Sequence, residues 1–300
     1  MPRAPRPAPA PNERETLCLR RRPRRSIFSV DVEDWFNTVR NEPKPSDWDT
    51  IPSHVEKNLR RFLDLFDETG TKTTCFFLGY VGRRFPDLVK ETAARGHEIA
   101  SHGFFHSCIY DLTREAFRKD IAESKKVLED AAGKAVKGYR APGFSVDQRS
   151  PWFFEELAAA GYEYDSSVFP APHRTGGMRT SKLFPHVMDL GGGAKLTEFP
   201  ITAVDVLGKP MCFFGGGYLR LFPYEVIRHM SRRVLDEERP VVYYIHPREI
   251  DPHHPRSPMK PLAKFSAYVN LASTEPKVRQ LLRDFPSTSF EGYLRDHPVS

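Results

Sequence analysis

Two histidines, His102 and His106, stand four residues apart directly after a short apolar run. Side chains at positions i and i+4 share one face of a helical turn, or of a loop that opens one. Two neutral imidazoles on one face can bind a single divalent metal ion. The pair alone is a weak signal, because eleven histidines in 300 residues produce such spacings by chance.

A catalytic zinc ion needs a third protein ligand and one open coordination position. The acidic cluster of Asp31, Glu33 and Asp34, about seventy residues before the histidines, can supply the third ligand. Two further polar residues, Arg140 and His246, also follow strand-like runs. Residue types that could bind a metal ion or transfer a proton therefore recur at several separate strand ends.

Strand-like runs alternate along the chain with segments of helical periodicity. Runs typical of strands occupy residues 26–31, 72–78, 97–100, 137–140, 196–199, 241–245 and 287–290. Helical spacing of apolar residues occurs at 55–66, 86–95, 117–128, 152–160 and 278–284. This alternation predicts an α/β fold with a largely parallel sheet. Sites in parallel barrels lie at the carboxyl ends of the strands, so we expect the strand-end residues to share one site.

Composition bounds the class of protein. A chain of 300 residues with 39% hydrophobic residues can bury a sizeable core in one large domain. No run approaches the roughly 20 apolar residues that a membrane-spanning helix needs. The four cysteines are widely spaced and form no C-x-x-C pair. This spacing predicts a reduced, cytoplasmic protein without a disulfide framework.

Residues 1–25 differ in composition from the rest of the chain. They contain six prolines, eight arginines and two glutamates, and no apolar segment like that of a secretory signal. We interpret them as a disordered basic arm before a catalytic domain at residues 26–300. The arm alone accounts for the net charge of +6. No specific nucleic-acid partner is predicted, whereas contact of the arm with an anionic inner-membrane surface stays open.

The chain resembles the polysaccharide deacetylases of carbohydrate esterase family 4, which share the NodB-homology domain. More narrowly, it is similar to the subgroup associated with exopolysaccharide loci and the exosortase (PEP-CTERM) system. Five ordered segments carry the resemblance: Phe28–Phe36, Ser101–His106, Tyr139–Phe144, Tyr164–Ser167 and Tyr244–Glu249. Two more resemble the subgroup's C-terminal extension, at about residues 205–300: Phe214–Arg220 and Tyr268–Leu271.

The resemblance implies a deformed (β/α) barrel of about seven strands that hydrolyses N-acetyl groups on a glycan. His102 and His106 would bind the metal, with zinc expected and cobalt, iron or nickel as alternatives. Asp31 would be the general base, Arg140 its charge-assisted partner, and His246 the general acid that protonates the leaving amine. The backbone N–H after Arg140 would donate to the oxyanion by the same resemblance.

One departure from the family pattern leaves the third metal ligand open. The common opening has two adjacent aspartates, a base and then a ligand, but here Val32 follows Asp31. A regular strand places Asp31 and Glu33 on one face, whereas a turn directly after Asp31 brings Asp34 inward. We favour Asp34 as the third ligand and keep Glu33 as the alternative.

Five residues are candidates for substrate binding: Trp35, Pro142, Phe144, Asp165 and Tyr218. Aromatic faces among them could stack on sugar rings, and Asp165 resembles the family residue that closes the groove or orients the acid. The expected substrate is an exopolysaccharide or its lipid-linked precursor, and a cytoplasmic setting favours the precursor. Two other functions stay open: an allantoinase-like or other cyclic-amide hydrolase, and a non-catalytic glycan-binding protein on the same fold.

Overall fold

Strands and helices alternate along most of the chain. The computed structural model describes residues 26–38, 42–171, 176–178, 180 and 182–299. The proposed basic arm lies outside the described residues. The strands are β1 (Ser26–Val32), β2 (Thr74–Phe77), β3 (Glu98–Ser101), β4 (Gly138–Tyr139), β5 (Tyr164–Asp165), β6 (His186–Asp189), β7 (Lys195–Glu198), β8 (Ala203–Val206), β9 (Lys209–Cys212), β10 (Val242–Ile245) and β11 (Ser287–Thr288).

Ten α-helices lie in the described part of the chain. They are α1 (Val55–Thr69), α2 (Gly79–Arg84), α3 (Pro86–Ala94), α4 (Arg114–Ala132), α5 (Phe153–Ala159), α6 (Gly216–Leu221), α7 (Tyr224–Asp236), α8 (Pro261–Tyr268), α9 (Thr274–Asp284) and α10 (Phe290–Asp296). Helix α1 ends at Gly70, which adopts the left-handed conformation at its C-cap. Among the described residues, no helix combines the length and the apolar character that crossing a bilayer requires.

Nine strands form one curled sheet, and β8 and β9 form a separate hairpin. The sheet order is β10-β1-β2-β3-β4-β5-β7-β6, and β11 pairs with the start of β1. All its pairs are parallel except β6 with β7. The α/β deformed-barrel prediction is confirmed. The strand number exceeds the expected seven, because β5 has only two residues and the partly exposed β6 lacks an apolar run.

The alternation of side chains in β1 separates two apolar regions. Ile27 packs with the cluster inside the curled sheet, whereas Phe28, Val30 and Val32 belong to the cluster beneath the helices. Successive side chains of a strand point to opposite faces, so Asp31 shares the inner face with Ile27. The fold thus delivers an ionisable side chain to the inside of the sheet at the carboxyl end of β1.

The C-terminal helix fills the interior of the curled sheet. Phe290, at the start of α10, is fully buried. Its ring centroid lies 5.6 Å from Phe76, 5.3 Å from Tyr164 and 4.9 Å from Phe199. Edge-to-face and offset arrangements at such separations add to the energy of burial. The end of the chain is therefore part of the core of the barrel.

Replacing Phe290 by Ala should destabilise the whole fold, because it leaves a cavity among three aromatic rings. We expect a loss of about 3–5 kcal/mol in the free energy of unfolding, measured by urea denaturation. The matched control is Leu207→Ala, at a side chain that is 98% exposed. Its effect should stay within about 0.5 kcal/mol. Equal effects of the two changes would show that Phe290 does not belong to the core.

Candidate active site

Four strand-end residues converge at one end of the curled sheet. Asp31 lies near the end of β1, and His102, Arg140 and His246 directly follow β3, β4 and β10. Asp31, His102 and His246 line a cavity of about 790 Å³, together with His106. Arg140 lies behind Asp31 and is fully buried. The strands bring these residues together because the carboxyl ends of parallel neighbours meet at one edge.

Asp31 and Arg140 form a buried ion pair. Arg140 Nη1 donates to Asp31 Oδ1 at 2.6 Å and to Ser29 Oγ at 2.8 Å. Its Nε donates to the carbonyl of Ser166 at 3.2 Å, and its Cζ lies 4.2 Å from the Phe76 ring centroid. The second carboxylate oxygen, Asp31 Oδ2, lies 4.0 Å from His246 Nε2. One oxygen of Asp31 is therefore fixed, and the other faces the imidazole across the cavity.

Glu33, His102 and His106 form a cluster that could hold a metal ion. One ligand atom from each lies within 4.8 Å of the other two. Glu33 Oε2 is 2.8 Å from His106 Nε2 and 3.8 Å from His102 Nε2. All three side chains are buried, and Glu33 Oε2 accepts no hydrogen bond of normal geometry. A buried carboxylate oxygen without such a partner is costly, and a cation at this point would satisfy it.

The other ring nitrogens fix how the two imidazoles face the cluster. His102 Nδ1 donates to the carbonyl of Arg140 at 2.8 Å, and His106 Nδ1 donates to Glu42 Oε2 at 3.3 Å. Metal-binding histidines commonly donate their second N–H to a carbonyl or a carboxylate in this way. Both Nε2 atoms are left for a ligand. Two imidazoles and one carboxylate form a donor set that catalytic zinc uses, so these residues fit a divalent cation.

The charges within the cluster follow from its surroundings. Burial, with the nearby His106, lowers the pKa of His102 to about 3, so His102 is neutral at pH 7. Burial also disfavours the charge of His106, but Glu33 and Glu42 outweigh it and raise the pKa of His106 well above its usual range. For Glu33, burial opposes ionisation, yet His106 and His246 lower its pKa overall. Without a metal ion, one imidazolium thus balances the carboxylate.

The loop that holds His102 and His106 is not helical. Gly103 has a φ of +75° and His106 a φ of +56°, both in the left-handed region. Of the two expected settings, a helical turn or a loop, the structure has the loop, and two residues with positive φ bring the imidazoles together. Glycine adopts a positive φ without strain, whereas His106 needs its surroundings to hold it there. The ion pairs of His106 with Glu33 and Glu42 supply that restraint.

The structure places Glu33, the alternative, and not the favoured Asp34 beside the two histidines. The Glu33 N–H donates to the carbonyl of Asp31 at 3.1 Å, a tight turn that brings Glu33 toward the histidines. The Oδ1 atom of Asp34 accepts instead from two backbone groups, the N–H of Trp35 at 2.9 Å and the N–H of His54 at 3.0 Å. The carboxylate of Asp34 thus caps local backbone, and Glu33 is the acid beside the histidines.

Only two of the five substrate-binding candidates are among the residues described as lining the cavity. Phe144 and Tyr218 are among the described residues that line the cavity, whereas Trp35, Pro142 and Asp165 are not. The indole N–H of Trp35 donates to the carbonyl of Pro52 at 2.9 Å, which holds the ring against the loop before α1. Tyr244 and Phe265 also line the cavity, so its aromatic lining differs in identity from the predicted set.

Asp165 and Ala141 are also occupied by structural contacts. Asp165 Oδ1 accepts from Ser167 Oγ at 2.6 Å, and Ser167 Oγ in turn accepts from the Ala141 N–H at 2.8 Å. Asp165 therefore does not orient His246. The Ala141 N–H, expected as an oxyanion donor, is already used, so that expectation is not met in this structure.

The polar residues near the cavity that were not identified from the sequence include Glu42, Arg220, Arg248 and Glu249. Three of these four had a sequence signal: Arg248 and Glu249 lie in the segment Tyr244–Glu249, and Arg220 ends the glycine-rich segment Phe214–Arg220. Glu249 Oε1 lies 2.6 Å from His246 Nδ1. Glu42 had no sequence signal, because it belongs to a polar loop and does not follow a strand-like run directly.

Comparison with known proteins gives two family matches. Residues 46–164 match the family described as Polysaccharide deacetylase, and residues 166–295 match one described as a domain of unknown function, DUF3473. A peptidoglycan deacetylase of Helicobacter pylori is 26% identical over 144 residues, which are 47% of this chain and 48% of that protein. A peptidoglycan-N-acetylglucosamine deacetylase of Bacillus cereus is 30% identical over 97 residues, 32% of this chain and 35% of that protein.

The chain thus spans half or less of the length of these two relatives. Among solved structures, a Mycobacterium smegmatis protein assigned to the polysaccharide deacetylases superposes with a TM-score of 0.61 at 20% identity, covering 92% of this chain and 91% of that one. The allantoinase Puue superposes with a TM-score of 0.59 at 15% identity, covering 93% of each chain. Both likenesses concern the fold. Residues 46–164 of the chain thus match the polysaccharide deacetylase family, and the two relatives named above are deacetylases.

Proposed function

We propose that this protein is a metal-dependent hydrolase that removes N-acetyl groups from a glycan. The proposal rests on three features that converge on one cavity. They are the second carboxylate oxygen of Asp31, the imidazole of His246, and the candidate metal ligands Glu33, His102 and His106. Asp31, His246 and the cluster of Glu33, His102 and His106 come from strand ends that are far apart in the sequence. A non-catalytic glycan-binding protein would not need this combination.

Glu33, His102 and His106 would hold the metal ion, with zinc proposed and cobalt, iron or nickel compatible with the same ligands. A divalent cation bound there supplies Lewis-acid polarisation of the acetyl carbonyl. The protein's own contribution is to aim both Nε2 atoms and Glu33 Oε2 at one point. The hydrogen bonds of the two Nδ1 atoms to Arg140 and Glu42 set that aim.

Asp31 is the proposed general base. Its Oδ1 is held by Arg140, so Oδ2 is the oxygen that can accept a proton from the attacking water. As the water oxygen forms its bond to the carbonyl carbon, its proton passes to Asp31 Oδ2. The fixed guanidinium keeps the carboxylate from rotating during this transfer.

His246 is the proposed general acid. Burial disfavours its charged form, but Glu33 and Glu249 outweigh that effect and raise the pKa of His246. The imidazole therefore tends to carry a proton near neutral pH, as a donor must. When the amide C–N bond breaks, Nε2 gives that proton to the leaving nitrogen. The products are acetate and a free amine on the sugar.

The proposed substrate is an exopolysaccharide or its lipid-linked precursor. The cavity of about 790 Å³ lies toward the top of the usual range of about 300–1,000 Å³ for small-molecule sites, which suits a glycan segment better than one small heterocycle. Phe144 and Tyr218 offer aromatic surface in its wall. The relatives named as deacetylases of peptidoglycan also favour an N-acetylated glycan. A cytoplasmic location, with the basic arm against an anionic membrane, would favour the precursor.

Acetate release from an N-acetylated chito-oligosaccharide tests the proposal. The wild-type protein loaded with zinc should release acetate, and a chelator should abolish the release. Asp31→Asn should lower kcat by about 10²–10⁴-fold, because the amide cannot accept the proton. The matched control is Asp130→Asn, at a carboxylate that is 66% exposed on α4, which should leave kcat unchanged.

Two results would contradict this proposal: activity that survives chelation, or an Asp31→Asn variant as active as the control. Allantoin is the comparison substrate for cyclic-amide hydrolysis. Ring opening of allantoin without acetate release from the glycan would move the assignment to that class.

The identity of the acidic ligand can be tested with the neighbouring pair Glu33 and Asp34. Glu33→Gln should weaken zinc binding by more than about 100-fold, the upper end of what loss of an indirect contact costs. Asp34→Asn should change zinc affinity far less, because Asp34 bonds the backbone of Trp35 and His54. Isothermal titration of the metal-free variants measures both affinities. The reverse ranking would assign the ligand to Asp34.

Zinc binding should release protons near neutral pH. Glu33 and Glu42 raise the pKa of His106, so the metal-free site holds a proton that the cation must displace. Zinc affinity should therefore rise with pH until the pH passes the pKa of His106. Titrations in buffers of different ionisation enthalpy measure the protons released. Zinc binding without proton release would exclude His106 as a ligand that is protonated in the free protein.

A further inference from the structure

The candidate general acid is held by a carboxylate three residues further along the chain. Glu249 Oε1 accepts from His246 Nδ1 at 2.6 Å and from the His246 backbone N–H at 3.2 Å. Both contacts lie in the short 3₁₀ turn Pro247–Ile250 that follows β10. Because a carboxylate can only accept, Nδ1 carries the hydrogen, and Nε2 is the nitrogen that faces Asp31 and Glu33.

The other oxygen of Glu249 is bound by a buried arginine from α6. Arg220 Nη1 donates to Glu249 Oε2, and both side chains are at most 3% exposed. Arg220 Nη2 donates to the carbonyl of Ser266 at 2.8 Å, in the helix α8 that forms one wall of the cavity. The contacts therefore run from the cavity wall through Arg220 and Glu249 to His246.

The glycines before Arg220 allow this approach. A Cβ atom on Gly216 would overlap the carboxylate of Glu249, and one on Gly215 would overlap the ring of Tyr244. Gly215 also forms a parallel bridge to Tyr244 in β10. The start of α6 is thus packed directly against the strand that delivers the acid.

Stability alone does not account for this ion pair. Two buried charges pay a large desolvation cost, and replacing such a pair by apolar side chains is often neutral or stabilising. Here the pair ends on the imidazole of the candidate acid. Asp165, the residue expected to orient the acid, bonds Ser167 instead. Glu249 therefore makes the contact with His246 that Asp165 was expected to make.

We propose that Glu249 and Arg220 are positioning residues for His246, through which the C-terminal region completes the active site. The proposal rests on the proposed deacetylase function. Glu249 selects the tautomer and the orientation of the imidazole, Arg220 fixes Glu249, and Ser266 ties both to the cavity wall. Glu249 and Arg220 contribute to the step in which the leaving nitrogen takes its proton, because that is the only step assigned to His246.

The test compares two leaving groups. An N-acetylated chito-oligosaccharide needs protonation of its amine, whereas 4-nitrophenyl acetate loses a phenolate that needs no proton. For Arg220→Met/Glu249→Leu, which removes both charges together, kcat on the amide should fall about 10²-fold or more with KM unchanged. Its kcat on the ester should change by less than about threefold. His246→Ala should show the same selective loss, and His106→Ala should lose both activities.

Two single changes complete the design. Glu249→Asp keeps the charge that Arg220 needs but withdraws the oxygen from Nδ1, so it should show the same selective loss in a folded protein. The matched control is Glu156→Asp, since Glu156 on α5 is also buried and bound by Arg114 and Arg118. It is absent from the residues described as lining the cavity, and its activities should equal those of the wild type.

Equal losses on amide and ester in the Glu249 variants, beside a selective loss in His246→Ala, would overturn the positioning role and leave the deacetylase proposal intact. Full amide activity in the double variant would overturn it as well. A wild-type protein that releases no acetate from the glycan would overturn the deacetylase function and the positioning role with it. A selective loss in both Glu249 variants, without one in Glu156→Asp, is the result expected.

Discussion

The guanidinium of Arg140 connects strands that are not neighbours in the sheet. It bonds Ser29 and Asp31 on β1 and Ser166 directly after β5, although β2, β3 and β4 lie between them. One side chain reaches both only if the sheet curls, so this contact both requires and stabilises the half-barrel. A fully buried cation without such partners would cost several kcal/mol. The curvature of the sheet and the pairing of its central charge are therefore one constraint.

That constraint also decides which oxygen of Asp31 lies toward His246. Asp31 lies within a regular strand, and its alternation with Ile27 places it inside the sheet. Arg140 then engages Oδ1, which leaves Oδ2 toward His246. The candidate base is thus set by the strand and not by a loop. By contrast, the candidate metal site depends on two backbone features outside regular secondary structure. They are the turn after Asp31 and the left-handed conformation of His106.

The sequence predicts the site residues that strands position, but it does not predict which side chains the turns bring into the site. Asp31, His102, Arg140 and His246 are predictable because each follows a run whose apolar pattern marks a strand. The choice between Glu33 and Asp34 depends on one hydrogen bond between neighbouring peptide groups, which residue types do not reveal. Glu42 reaches His106 from a polar loop that carries no sequence signal, so only tertiary packing identifies it. The two-residue β5 and the partly exposed β6 have too little apolar pattern to predict.

The boundary between the two family matches falls inside a strand. The first match ends at residue 164 and the second begins at 166, whereas β5 is Tyr164–Asp165 and pairs with β4 on one side and β7 on the other. The first segment holds both histidines of the metal cluster, and the second holds His246 with its partners Arg220 and Glu249. Phe290, also in the second, packs inside the sheet to which β2, β3 and β4 of the first segment belong. Neither segment alone has a complete core or all of the proposed catalytic groups, and Asp31 and Glu33 precede both segments. We therefore interpret β1 and the two matched segments as one structural unit with a composite candidate site.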